Sequence, residues 1–150
     1  MSLEQEVELI RQFPIFGKIQ PAMQKLLCFS AERLAYDPGQ VMFNIGESAD
    51  AAYVIIEGNA EISVPTPAGP IVINNVGKND IVGEIAIFGD VPRTATAKVM
   101  TRLETLKISK ELFIKVIREN PDAAVELIRI LASRLANTTN QLSRTRSGAG

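Results

Sequence analysis

The sequence predicts a mainly β fold with flanking helices: an eight-stranded jelly-roll β-barrel, preceded by N-terminal helices and followed by two C-terminal helices. Three observations carry this. Short apolar runs between residues 33 and 108 are separated by turn residues every 8–12 positions, the spacing of a sandwich or barrel. Helical periodicity flanks that stretch on both sides. The chain has 150 residues, enough for one domain with a core and too few for two comfortable ones.

The elements follow in order. Residues 4–12 read as a helix with apolar Val7, Leu9 and Ile10, ended by Phe13-Pro14 because proline disfavours helix in the residue before it. Residues 21–29 read as a second short helix with Pro21 in its first turn. Strands are expected at 33–36, 41–43, 52–56, 60–64, 71–76, 81–82, 94–100 and 105–108. Between them lie turn signals such as Asp37-Pro38-Gly39, Glu57-Gly58-Asn59 and Gly77-Lys78-Asn79-Asp80. Eight strands in this order suggest a jelly roll. Helical period returns after Ser109, a plausible cap, with Leu112, Phe113, Val116 and Ile117 on one stripe. Asn120-Pro121 reads as a new cap before a last helix that reaches about Gln141. The single domain, 1–150, thus comprises a helical lead-in (1–32), a β-roll (33–108), C-terminal helices (109–142) and a tail (143–150) expected to end disordered.

Composition narrows the function. The net charge of −1 gives no global field for nucleic acid or an anionic membrane, and neither partner is expected. No apolar run approaches the length of a membrane span. The one cysteine, Cys28, sits in an apolar run; a lone packed thiol fits a reducing compartment, and a cytoplasmic setting is expected. There is no histidine, so a His general base and a His-rich metal site are both impossible within this chain. An enzyme is not expected, nor a metal or cofactor.

One segment, 83–96, concentrates binding chemistry: Gly83-Glu84-Ile85-Ala86-Ile87, a turn, then Pro92-Arg93-Thr94-Ala95-Thr96. Gly83 permits tight turning and close ligand approach. A helix start after it exposes unpaired N–H groups, which favour an anion. Arg93 supplies a forked, charge-assisted contact to a phosphate, and Thr94 a hydroxyl. Ala95 and Ala97 share the parity of Arg93 and leave room in a barrel interior. Glu84 repels phosphate but accepts hydrogen bonds from a sugar hydroxyl. Phosphate donors beside one carboxylate describe a ribose-phosphate pocket.

This segment closely resembles the phosphate-binding cassette of the cyclic-nucleotide-binding family, which includes kinase regulatory subunits, catabolite activator proteins and cyclic-nucleotide-gated channels. Phe43-Asn44-Ile45-Gly46-Glu47 and Tyr53-Val54-Ile55-Ile56-Glu57-Gly58 resemble two further motifs of that family, and the likeness runs from about Phe13 to Leu142. Val82 departs from it, standing where an aromatic often precedes Gly-Glu. The resemblance implies a regulatory sensor that binds cyclic AMP or cyclic GMP and shifts its C-terminal helices on binding. It implies ligand contacts from Gly83, Glu84, Ile85, Ala86, Arg93, Thr94 and Ala95, with Glu84 on the ribose 2′-hydroxyl and Arg93 on the cyclic phosphate. Thr138 and Thr139 resemble the pair that reaches adenine in catabolite activator proteins, whereas Thr94 resembles cyclic-GMP-selective sites, so the choice of nucleotide stays open. An alternative is the ligand-binding part of a catabolite-activator-like transcription regulator without its DNA-binding part.

The last helix also carries a heptad pattern. Ala124, Ile128, Leu131, Leu135, Thr138 and Leu142 are spaced as a coiled-coil seam, so a homodimer through this helix is expected.

Overall fold

The computed structural model describes the backbone of residues 2–149 and the side chains through residue 144. Helix α1 (Leu3–Arg11) starts with a capping box, in which Ser2 and Gln5 satisfy each other's backbone N–H groups. Helix α2 (Pro21–Ser30) follows. Eight strands come next: β1 (Glu32–Tyr36), β2 (Val41–Phe43), β3 (Ala51–Glu57), β4 (Ala60–Val64), β5 (Ile71–Val76), β6 (Ile81–Val82), β7 (Thr96–Val99) and β8 (Leu103–Ser109). The short helix α3 (Glu84–Gly89) lies between β6 and β7, and α4 (Lys110–Glu119) and α5 (Pro121–Ala149) close the chain.

The strands form two four-stranded antiparallel sheets, ordered β1-β8-β3-β6 and β2-β7-β4-β5. This is the jelly roll the spacing predicts, built as two facing sheets that do not close into a continuous barrel. Strand β3 explains its own uninterrupted apolar run, Ala51 to Ile56. Ala51, Tyr53 and Ile55 face the space between the sheets. Ala52, Val54 and Ile56 face outward and pack with Phe13, Phe16, Phe113 and Val116 from the helical segments. A strand buried on both faces has no polar side to alternate with.

Four expectations change. Strand β7 starts at Thr96, not at residue 94, because the backbone of Arg93 bonds a turn instead of a strand: Arg93 N–H donates to Glu47 O (2.8 Å) and Gly46 N–H donates to Arg93 O (2.8 Å). Helix α5 continues through residues 143–149, where a tail was expected; nothing between Ser143 and Ser147 breaks a helix, and Gly148 is the first poor former. Gly150, the end of that expected tail, lies outside the described residues. Asn120 turns its side chain away from α5, donating from Nδ2 to Val116 O (2.8 Å) and accepting from Gln20 N–H (3.4 Å). It therefore ties the α4–α5 corner to the N-terminal helices. Finally, only half of the expected heptad seam faces solvent. Leu131 and Ala124 pack on the core, and Thr138 turns to the chain's own sheets. Ser109 does cap α4, accepting from Leu112 N–H (3.3 Å).

Candidate functional site

A cavity of about 420 Å³ opens between the sheet β2-β7-β4-β5, the 83–95 segment and α5. That lies within the range of small-molecule sites, roughly 300–1,000 Å³. Its wall brings together Gly83, Glu84, Ile85, Ala86, Thr94, Ala95 and Thr138 from the expected set, beside apolar Phe43, Ile62, Val64, Ile73, Val82 and Leu131.

Gly83 is the pivot of this wall. It takes φ +88° between β6 and α3, and a Cβ there would stand 2.4 Å from Arg93 Nη1. Only glycine accepts both the left-handed backbone and that approach. Asp90 ends α3 in a left-handed conformation as well, and its carboxylate pairs with Lys110 (2.9 Å) at the start of α4.

Arg93 stands behind the wall, only 3% exposed. Nη1 donates to Gly83 O (2.9 Å) and Nη2 to Ala51 O (2.7 Å). The guanidinium lies 4.2 Å from the Phe43 ring centroid and 5.9 Å from that of Tyr53, a stacked pair that holds the cation by its ring faces. Its Nε is buried with no hydrogen-bond partner. Burial lowers the pKa of this guanidinium, while Tyr53, Asp50, Glu47 and Glu84 pull it back up. A buried arginine held by two neutral carbonyls, with one N–H still orphaned, is a cation that lacks an anionic partner.

Glu84 occupies the first position of α3 and is 1% exposed. Its Oε1 is held by Nη1 of Arg134, which arrives from α5 and also donates from Nη2 to Ile81 O. Arg134 was not among the expected site residues. Asn74 of β5 was not singled out at all; its amide contacts the same turn of α5, including Thr138 Oγ1 (3.3 Å). No short-range pattern links residue 74 or 84 to residue 134, so only the folded chain reveals these partners. Phe43 was read as part of a turn motif, not as the ring beneath Arg93.

Thr138 and Thr139 separate. Thr138 lines the cavity, whereas Thr139, about 100° further round α5, is exposed. Among the described residues, no group of three or more His, Cys, Asp or Glu side chains is placed to hold a metal ion. No helix among them is long and apolar enough to cross a membrane.

This architecture is shared with known proteins. The chain is 28% identical over 137 residues to a CRP-like cAMP-activated global transcriptional regulator of Mycobacterium tuberculosis, a match covering 91% of this chain and 61% of the regulator. The chain thus spans about three fifths of that relative's length. Its fold superposes on the sensor domain of the transcriptional regulator DNR from Pseudomonas aeruginosa with a TM-score of 0.77 at 23% identity, covering 93% of this chain and 94% of that one. It also superposes on the regulatory subunit of a cAMP-independent protein kinase A from Trypanosoma brucei, with a TM-score of 0.80 at 19% identity, covering 95% and 51%. Residues 33–120 match the profile of the cyclic nucleotide-binding domain, and the chain belongs to that family.

Proposed function

We propose that this chain binds a purine 3′,5′-cyclic nucleotide as a regulatory sensor and carries out no catalysis itself. One observation carries the reading: a buried guanidinium with an orphaned Nε stands directly behind Gly83, which lines a nucleotide-sized cavity together with the buried carboxylate of Glu84. In this reading the cyclic phosphate sits against Gly83 and the N–H groups of Ile85 and Ala86. Arg93 exchanges a backbone carbonyl for phosphate oxygens, and Thr94 adds its hydroxyl. The ribose 2′-hydroxyl donates to Glu84, whose other oxygen stays with Arg134. The base packs between Val64, Leu131 and Leu135 and reaches Thr138. Closing α5 over the base couples occupancy to the position of the C-terminal helices, because a ligand shifts an equilibrium only through contacts that differ between states.

Cyclic AMP is the favoured nucleotide, supported by the cAMP-activated relative and by the cavity-facing Thr138. Titration calorimetry with cyclic AMP and cyclic GMP tests this. Micromolar binding or tighter is expected for cyclic AMP. No heat with either nucleotide at millimolar concentration, on protein freed of retained ligand, would remove the proposal.

We also propose a partner, another copy of this chain. Val125, Ile128, Ala132, Leu135, Thr139 and Leu142 follow the 3-4 spacing of a heptad seam on the outward face of α5. Ile128 is 64% exposed and Leu135 68%, unusual for large apolar side chains in line. Packing two such faces forms a symmetric dimer. Thr139 then contacts a base only across that dimer, in the cavity of the second copy. The similarity to a longer transcription regulator also supports a chain that is the ligand-binding part of a larger protein. We assign it to the cytoplasm on the strength of its single packed thiol.

A further inference from the structure

The alternation of β5 breaks at one point. Ile62 of β4 pairs with Asn74, but Ser63 pairs with Val72, so Ile73 is an extra residue on β5. Such a bulge re-aims a side chain. Here it buries two consecutive residues, Ile73 and Asn74, each 9% exposed. Ile73 fills the cavity wall, and the Asn74 amide is delivered to α5.

That amide is fully engaged with a single helical turn. Asn74 Nδ2 donates to Thr138 Oγ1 (3.3 Å) and to Arg134 O (3.5 Å), and Asn137 Nδ2 donates to Asn74 Oδ1 (3.1 Å). Residues 134, 137 and 138 lie on one helical face, so one side chain grips three successive points of it. The same turn carries both polar groups that line the cavity from α5: Arg134, on Glu84, and Thr138. These bonds are reciprocal and mostly shielded, and a buried amide without them would be left unpaired.

We propose that Asn74 is a positioning residue, a latch that fixes the 134–138 turn of α5 on the β-roll and so sets how long a bound nucleotide stays. The latch is built from the chain's own residues alone. Only its kinetic consequence rests on the nucleotide-binding reading. Because Asn74 already donates to the Thr138 oxygen, the Thr138 hydroxyl proton is free to point into the cavity. The latch therefore orients that hydroxyl as well as the helix.

Hydrogen exchange on the full chain, free and with cyclic AMP, tests the latch in two variants. Asn74→Ala deletes the amide, and Asn74→Leu keeps its volume without its bonds. In the free protein, amides of residues 131–142 are expected to exchange about fivefold to tenfold faster in both variants, while those of β3 and β8 stay unchanged. Stopped-flow release of cyclic AMP is expected to be about tenfold faster, with association within about threefold of the parent. Asn74→Asp retains the acceptor for Asn137 and loses both donors, so it falls between. Unchanged protection of α5 in both substitutions overturns the latch, even if affinity drops, because Asn74 would then act only as a direct contact. Faster exchange throughout β3 and β8 overturns it too, as a general loss of stability. A parent that binds no nucleotide leaves the exchange result standing and counts against the function alone.

Discussion

The two sides of the cavity are built by different means. The 83–96 side is made largely of backbone. Gly83 and Asp90 bracket α3 in left-handed conformations, and the Arg93 backbone is pinned to the 46–47 turn by two hydrogen bonds of 2.8 Å. Even the Arg93 side chain is held by carbonyls. The α5 side is attached by side chains reaching across the fold, Arg134 to Glu84 and Asn74 to Asn137 and Thr138. Backbone networks inside a packed sheet persist as long as the domain does. Beyond Ala123, Leu127 and Leu131, which pack on the core, the 134–138 turn of α5 is held by a few side-chain bonds and opens at lower cost. In the proposed function, one side is thus expected to act as a fixed cradle and the other as a removable lid.

The largest expected effect falls on the cradle. Arg93→Ala removes the cation behind Gly83, and the cost to cyclic-nucleotide affinity is expected at about 3–5 kcal/mol. That corresponds to roughly a hundredfold to several thousandfold in Kd by calorimetry. Arg93→Lys should recover little, because an ammonium cannot keep a backbone carbonyl and also present a fork to the phosphate. Affinity within threefold of the parent for Arg93→Ala would mean that the phosphate does not sit at this wall. Gly83→Ala strikes the same place by geometry. Its Cβ would stand 2.4 Å from Arg93 Nη1 at φ +88°, so a stability loss of about 1–3 kcal/mol is expected in denaturant melts, with weaker binding alongside.

Removing the lid should cost less. Arg134→Ala leaves Glu84 without its cation, but water reaches Glu84 once α5 swings away. A roughly tenfold to hundredfold loss of affinity is expected, concentrated in the dissociation rate. The thermal midpoint of the β-roll should fall less than in Gly83→Ala. Were Arg134→Ala to match Arg93→Ala in affinity and in association rate, the distinction between fixed and removable sides would collapse.

The same distinction governs what the sequence reveals. The cradle is legible because its chemistry is local: a glycine, a carboxylate, a turn and an arginine within fourteen positions, each with a single physical role. The strands are legible because turn residues punctuate them, although residues 94 and 95 precede β7 where the spacing suggested a strand. The lid is not legible. Arg134 is one basic residue among several on an amphipathic helix, and its partner lies fifty positions earlier. Asn74 gains its role from a bulge at Ile73 that no local signal announces. The heptad pattern misled for a simple reason. Ala124, Leu131 and Thr138 neighbour Val125, Ala132 and Thr139 by one position each, so two seams share Ile128, Leu135 and Leu142. Apolarity favoured the first seam because Leu131 belongs to the core of its own chain.

The smallest expected effect on affinity concerns that outward seam. Leu135 lines the cavity as well as facing solvent, so a substitution there mixes two roles. Ile128 does not line the cavity and is 64% exposed, which makes it the cleaner probe. Ile128→Asp leaves the single chain nearly unaffected, within about 0.5 kcal/mol, as expected of an exposed position. In a two-helix seam the same carboxylate is buried against its symmetry mate, unpaired and repelled by a like charge. Sedimentation at high micromolar concentration should therefore show a dimer for the parent and a monomer for Ile128→Asp. Monomeric protein also loses any contact from Thr139 of the second copy, one hydrogen bond per site. Cyclic AMP affinity should accordingly fall by only about twofold to tenfold. A parent that sediments as a monomer with and without nucleotide would remove the seam and leave the cradle and lid of the single chain untouched.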